Sequence, residues 1–160
     1  MRYFLVTLVL IGVLFTLGTY SRIFSDANVE SKEDSLHGFA GRWEIVEVQP
    51  AGATKDAATL VFRSDCTYSA LDEKGRTLWS GTFDLDPTKS PRTWDHRTYD
   101  SMEEGGDVLG IYELEGDTLR AGCVVGVWKE GQWTGRPRPQ EIRQEDADVV
   151  LELRRLKSRG

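Results

Sequence analysis

Hydrophobic positions along the chain fall into two regimes. The first is one unbroken block: Tyr3 to Tyr20 carries no charged residue and is flanked by Arg2 and Arg22. At 1.5 Å per residue a helix of this length spans about 27 Å, close to the hydrocarbon thickness of a bilayer. The block predicts an N-terminal hydrophobic helix over residues 1–22, either a transmembrane anchor or a signal peptide. Ser25-Asp26-Ala27 offers a small-x-small cleavage site for the second reading. Residues 23–38 are rich in Ser, Asp, Glu and Lys and read as a polar linker.

The second regime begins near Gly41 and fills a domain over residues 39–158. Short apolar runs alternate with turn residues, and no stretch sustains a helical period. Eight strands are expected: Arg42–Val48, Thr59–Arg63, Thr67–Leu71, Thr77–Leu85, Thr93–Tyr99, Val108–Leu114, Thr118–Val124 and Val149–Leu156. Many short strands at close spacing point to an all-β closed barrel or sandwich. Gly75 and Gly116 suit tight turns between runs. Alternation places Leu60 and Phe62 on one face, and likewise Gly81, Phe83 and Leu85; Val108, Gly110, Tyr112 and Leu114; Leu119, Ala121 and Cys123; Leu151 and Leu153. An eight-stranded barrel of such residues is either filled by side chains or holds one small ligand.

Several residue blocks resemble a known family. Gly41-Arg42-Trp43 at the start of the first strand resembles the Gly-x-Trp signature of lipocalins and other calycins. Phe83 to Lys89, Gly110 to Leu119, Arg138 to Glu141 and the closing Leu153-Arg154-Arg155-Leu156 resemble the planctomycete lipocalin-like domain, over about Gly38 to Lys157. Gln140 and Ile142 stand where that family usually has Thr and Phe. The resemblance implies an eight-stranded antiparallel lipocalin-like barrel and no established activity. In lipocalins the signature Trp plugs one barrel end and a basic residue of the last strand lies on its ring. Carried onto this chain, the structural signature is Gly41, Trp43 and Arg155, since Arg155 shares the face of Leu151 and Leu153 and Arg154 does not.

Composition narrows the functional classes. The length, 160 residues, allows one domain and a short extra segment. A net charge of −6 gives no basic footprint for nucleic acid, and the local basic run Arg154 to Arg159 reads as a solvated strand end. Cys66 and Cys123 fit no metal motif; they form either one disulfide or two free thiols. His37 lies in the linker and reads as solvated. His96, in Thr93-Trp94-Asp95-His96-Arg97, reads as a surface or rim residue whose neighbour Asp95 points to the opposite strand face. Asp95, Glu113 and Asp117 read as turn and surface carboxylates. The Gly-x-Ser-x-Gly, P-loop and His-Glu-x-x-His motifs are missing from the sequence. No catalytic residue, metal or cofactor is therefore expected.

The long connection from Gly126 to Asp148 holds Trp128, Trp133 and Arg138 among glycines and prolines. Connections this long often carry function. One reading makes it a cover over the barrel mouth, with Trp128, Trp133, Arg138 and the inward Tyr112 contacting a small apolar or mixed ligand. The other makes it a Trp-Gly hairpin packed on the barrel's outside. The expectation for the whole is a membrane-anchored extracytoplasmic protein, or a secreted one after signal cleavage. It either binds a small molecule or serves as a non-catalytic structural or interaction module with a filled barrel.

Overall fold

The computed structural model describes residues 31–98 and 107–157. The hydrophobic leader and its expected helix lie outside the described residues. The elements are helix α1 (Lys32–Phe39) and ten strands: β1 (Gly41–Gln49), β2 (Thr59–Phe62), β3 (Thr67–Leu71), β4 (Thr77–Asp86), β5 (Thr93–Thr98), β6 (Asp107–Glu115), β7 (Thr118–Gly126), β8 (Trp128–Lys129), β9 (Gln132–Trp133) and β10 (Val149–Arg155). Eight of them close an antiparallel barrel in the order β1-β10-β7-β6-β5-β4-β3-β2. Strands β8 and β9 form a separate two-stranded ribbon, with Trp128 paired to Trp133.

Register explains the interior. Leu60, Ala70 and Trp79 are successive cross-strand partners, as are Leu153, Leu119 and Leu114, and Leu85, Trp94 and Gly110. Their shared parity brings one face of every strand into a single core that includes Phe39, Trp43, Phe62, Phe83, Trp94 and Tyr112. A bulge in β1 between Ile45 and Glu47 shifts the register against β10.

The end of the polar stretch read as a linker is helical. Ser31 caps α1 by accepting from the Asp34 amide at 3.1 Å, and Glu33 and Asp34 lie in its first turn. Eight residues are too few to hold a helix in water. Packing supplies the rest: Phe39 is fully buried among the rings of Phe62, Phe83, Trp94 and Tyr112, at 4.7–6.0 Å between centroids. Burying such a side chain is worth about 1.5–3 kcal/mol. The helix thereby plugs one barrel end, and His37 on its last turn is exposed.

Trp43 and Arg155 fasten that plug. The Trp43 indole donates to the Phe39 carbonyl at 2.9 Å, and the Arg155 guanidinium stands 4.1 Å from the Trp43 ring centroid. Arg155 also donates to the carbonyls of Gly38 and Ala40 at the helix end, and its Nε lies 3.3 Å from Asp117. Gly41 leaves room for this: its φ is +139°, and a Cβ there would meet Arg155 Nη1 at 2.8 Å.

Candidate functional site

Strand β5 sets the chemistry of the interior. Its Trp94 packs against Phe39 and Phe62 inside the barrel, so alternation sends His96 inward as well and turns Asp95 and Arg97 outward. The sequence suggested a surface or rim position for His96; its ring turns inward from the outer surface. It is half-buried, and its ring stacks on Trp94 at 5.2 Å. Asp95 does lie on the opposite face.

The second partner of His96 comes from β3. Tyr68 is opposite Gly81 of β4, so no side chain stands between its ring and β5. The Tyr68 hydroxyl lies 2.8 Å from His96 Nδ1. These two rings form the next layer beyond the aromatic cluster around Phe39, joined to it through Phe62 and Trp94.

Burial makes this layer neutral. It pushes the His96 imidazolium down to about 4, well below the usual 6.5, so the ring is uncharged at neutral pH. It also pushes the Tyr68 phenol up, helped by the negative charge of Asp107 and opposed by a hydrogen bond with the Trp79 side chain. The Tyr68 hydroxyl and His96 Nδ1 therefore pair as two uncharged groups. Beside it the Trp94 indole N–H is buried and has no acceptor among the described residues. The site therefore offers an uncharged donor in an apolar setting.

It offers no activated nucleophile. Cys66 and Cys123 are both free thiols. Burial, with the Asp148 charge, pushes the Cys123 thiol up to about 12 and keeps it protonated. No cluster of metal-ligating side chains occurs among the described residues.

The four residues expected to contact a ligand do not share one site. Tyr112 is in the plugged half, edge-on to Phe39 at 5.3 Å, with its hydroxyl 3.4 Å from Ser35 Oγ and Arg92 over its ring. Arg138 grips the outward Asp95 with both guanidinium nitrogens, one contact at 2.8 Å, and donates to the Gly110 carbonyl at 2.7 Å. Trp128 and Trp133 pack on each other at 5.5 Å with their rings tilted by 58°. Arg138 and its neighbours hold the long connection on the barrel's outer face rather than over its mouth. There it covers the outward side chains of β6 and β7: Ile111 and Val124 are buried, Ile142 Cα lies 3.3 Å from where a Cβ of Gly122 would stand, and Pro139 and Ala147 are buried with them.

An open groove of about 370 Å³ beside this strap is lined by Asp84, Asp95, His96, Arg97 and the half-exposed Trp128. Its charges are engaged: Asp95 with Arg138, Arg97 with Asp107 and Asp84 with Lys32.

No family model, curated protein or solved structure matches the chain. Among the described residues no helix is long and apolar enough to cross a membrane.

Proposed function

We propose that this is a non-catalytic lipocalin-like binding protein, tethered to the membrane by its Tyr3–Tyr20 leader with the barrel outside the cytoplasm. It takes a small apolar or mixed molecule inside the barrel, in the layer of Tyr68 and His96. The observation that carries this reading is the polar layer itself. A barrel built only for stability gains nothing from an inward, partly buried imidazole while its neighbours Tyr68 and Trp94 are 2% exposed. Pockets of this kind, apolar with a few placed polar groups, are the usual form of small-molecule sites. The aromatic filling around Phe39 favours a second reading, a structural or interaction module at the cell surface.

A thermal-shift screen of the full chain against apolar and mixed small molecules separates the two, with His96→Trp as the filled-interior control. Binding inside the barrel predicts that some members raise the melting temperature of the parent and not of His96→Trp. No stabilisation by any member would leave the module reading. Membrane tethering predicts that the full chain stays with the membrane fraction after an alkaline wash and that deletion of residues 1–22 releases it.

A further inference from the structure

We propose that the molecule held inside the barrel presents a neutral hydrogen-bond acceptor, a carbonyl oxygen on an otherwise apolar frame, to the indole N–H of Trp94, beside the His96 ring. This rests on the reading that the interior binds a ligand, and adds the chemical class that it selects.

The argument begins with Trp94. An indole nitrogen can only donate, and buried donors in folded proteins nearly always have an acceptor. Trp94 is 2% exposed, its ring is fixed between Phe39, Phe62 and His96, and its N–H has no acceptor among the described residues. His96 stacks on it at 5.2 Å, with its Nδ1 on the Tyr68 hydroxyl. A buried, unmet donor set among aromatic rings selects an acceptor.

The surrounding charges select a neutral one. Arg155 lies on Trp43 and Arg92 on Tyr112, both in the plugged half, while Arg97 and Arg138 pair with carboxylates on the outer face. An anion beside Trp94 would enter an apolar enclosure with no described cation turned towards it, at a high desolvation cost. A carbonyl accepts two hydrogen bonds and brings no charge.

The experiment uses the full chain in lipid nanodiscs, with empty discs as blanks, and two probes of one frame: 9-fluorenone, which has a ketone, and fluorene, which does not. Affinities come from titration. Contact is read from the indole N–H resonance of Trp94, assigned through its contacts with Phe39 and Phe62. We expect fluorenone to bind about tenfold more tightly than fluorene, the ratio for one buried hydrogen bond made rather than missed. The Trp94 N–H resonance should move downfield with fluorenone alone, and Trp94→Phe should cut the preference to within about twofold. Equal binding of both probes would overturn the acceptor inference and leave interior binding standing; no binding of either would overturn both. A preference that persists in Trp94→Phe would refute the role of the indole. If that variant does not fold, a Trp94 resonance unmoved by bound fluorenone refutes it instead.

Discussion

Acidification is the most direct perturbation of the interior layer. The unfolded chain protonates His96 with an ordinary value near 6.5, while the folded chain resists until about 4. Between those values the unfolded state binds the extra proton, so stability is full above 6.5 and falls as the pH is lowered towards 4. At pH 4.5 the whole shift corresponds to a loss of about 2.5 kcal/mol relative to pH 7.5. Partial access of solvent to the ring screens its charge and brings the expected loss to about 1–2 kcal/mol. The window is separable from acid effects on carboxylates. Hydrogen bonds from Thr67, Arg76 and Thr88 hold Asp65, Asp72 and Asp86 below the usual carboxylate range, so their contribution is lost only as the pH falls through that range. The assay is urea unfolding at half-unit steps from pH 7.5 to 4.5, compared with His96→Gln, whose amide carbonyl can still accept from Tyr68. At a slope of about 1.5 kcal/mol per molar urea the parent midpoint should fall by about 1 M, and that of the variant by much less. Equal falls in parent and variant would refute the assignment of His96 as a buried neutral base.

Three further outcomes follow from the plug and the strap. Arg155→Ala removes the contact on Trp43 and the bonds to the helix-end carbonyls and should cost about 3 kcal/mol in urea unfolding, with Lys restoring less than half because it lacks the planar fork. Gly41→Ala forces a strained φ and a clash with the Arg155 head group, for about 2 kcal/mol by the same assay. A double-mutant cycle on Asp95→Ala and Arg138→Ala should give a coupling of about 1 kcal/mol; a value near zero would mean that this ion pair does not hold the strap.

The alternation of apolar residues was enough to read the strands, because each one has a face that must enter the barrel. The helix was hidden for a physical reason: Lys32–Phe39 has only Leu36 and Phe39 to mark a buried face, and its stability comes from rings supplied by distant strands. The Trp94-x-His96 spacing contained the inward position of the imidazole, but a polar residue in a strand reads as solvent-facing unless the parity of the whole strand is applied. The outer strap also had a sequence signal. Gly110-Ile111-Tyr112 and Ala121-Gly122-Cys123-Val124 are apolar at consecutive positions, the mark of strands buried on both faces. Which segment covers the second face was not legible, since Arg138 reaches Asp95 across 43 positions of sequence.

The two halves of the interior are built to different ends, and Trp94 joins them. Around Phe39 the rings of Phe62, Phe83, Trp94 and Tyr112 pack together, and the polar atoms of Trp43 and Tyr112 bond to α1 itself, to the Phe39 carbonyl and the Ser35 hydroxyl. One layer further on, the same packing rules would favour phenylalanine at position 94, which fills most of the same volume and leaves no donor unmet. An unmet buried donor costs about 1–3 kcal/mol, a large share of the stability of a small domain. Under the proposed reading the indole is costly without an acceptor and favourable once a ligand supplies one. That difference between the empty and the occupied barrel would give selection for a carbonyl over a bare hydrocarbon, because the penalty carried by the empty state is relieved only by the ligand that can accept.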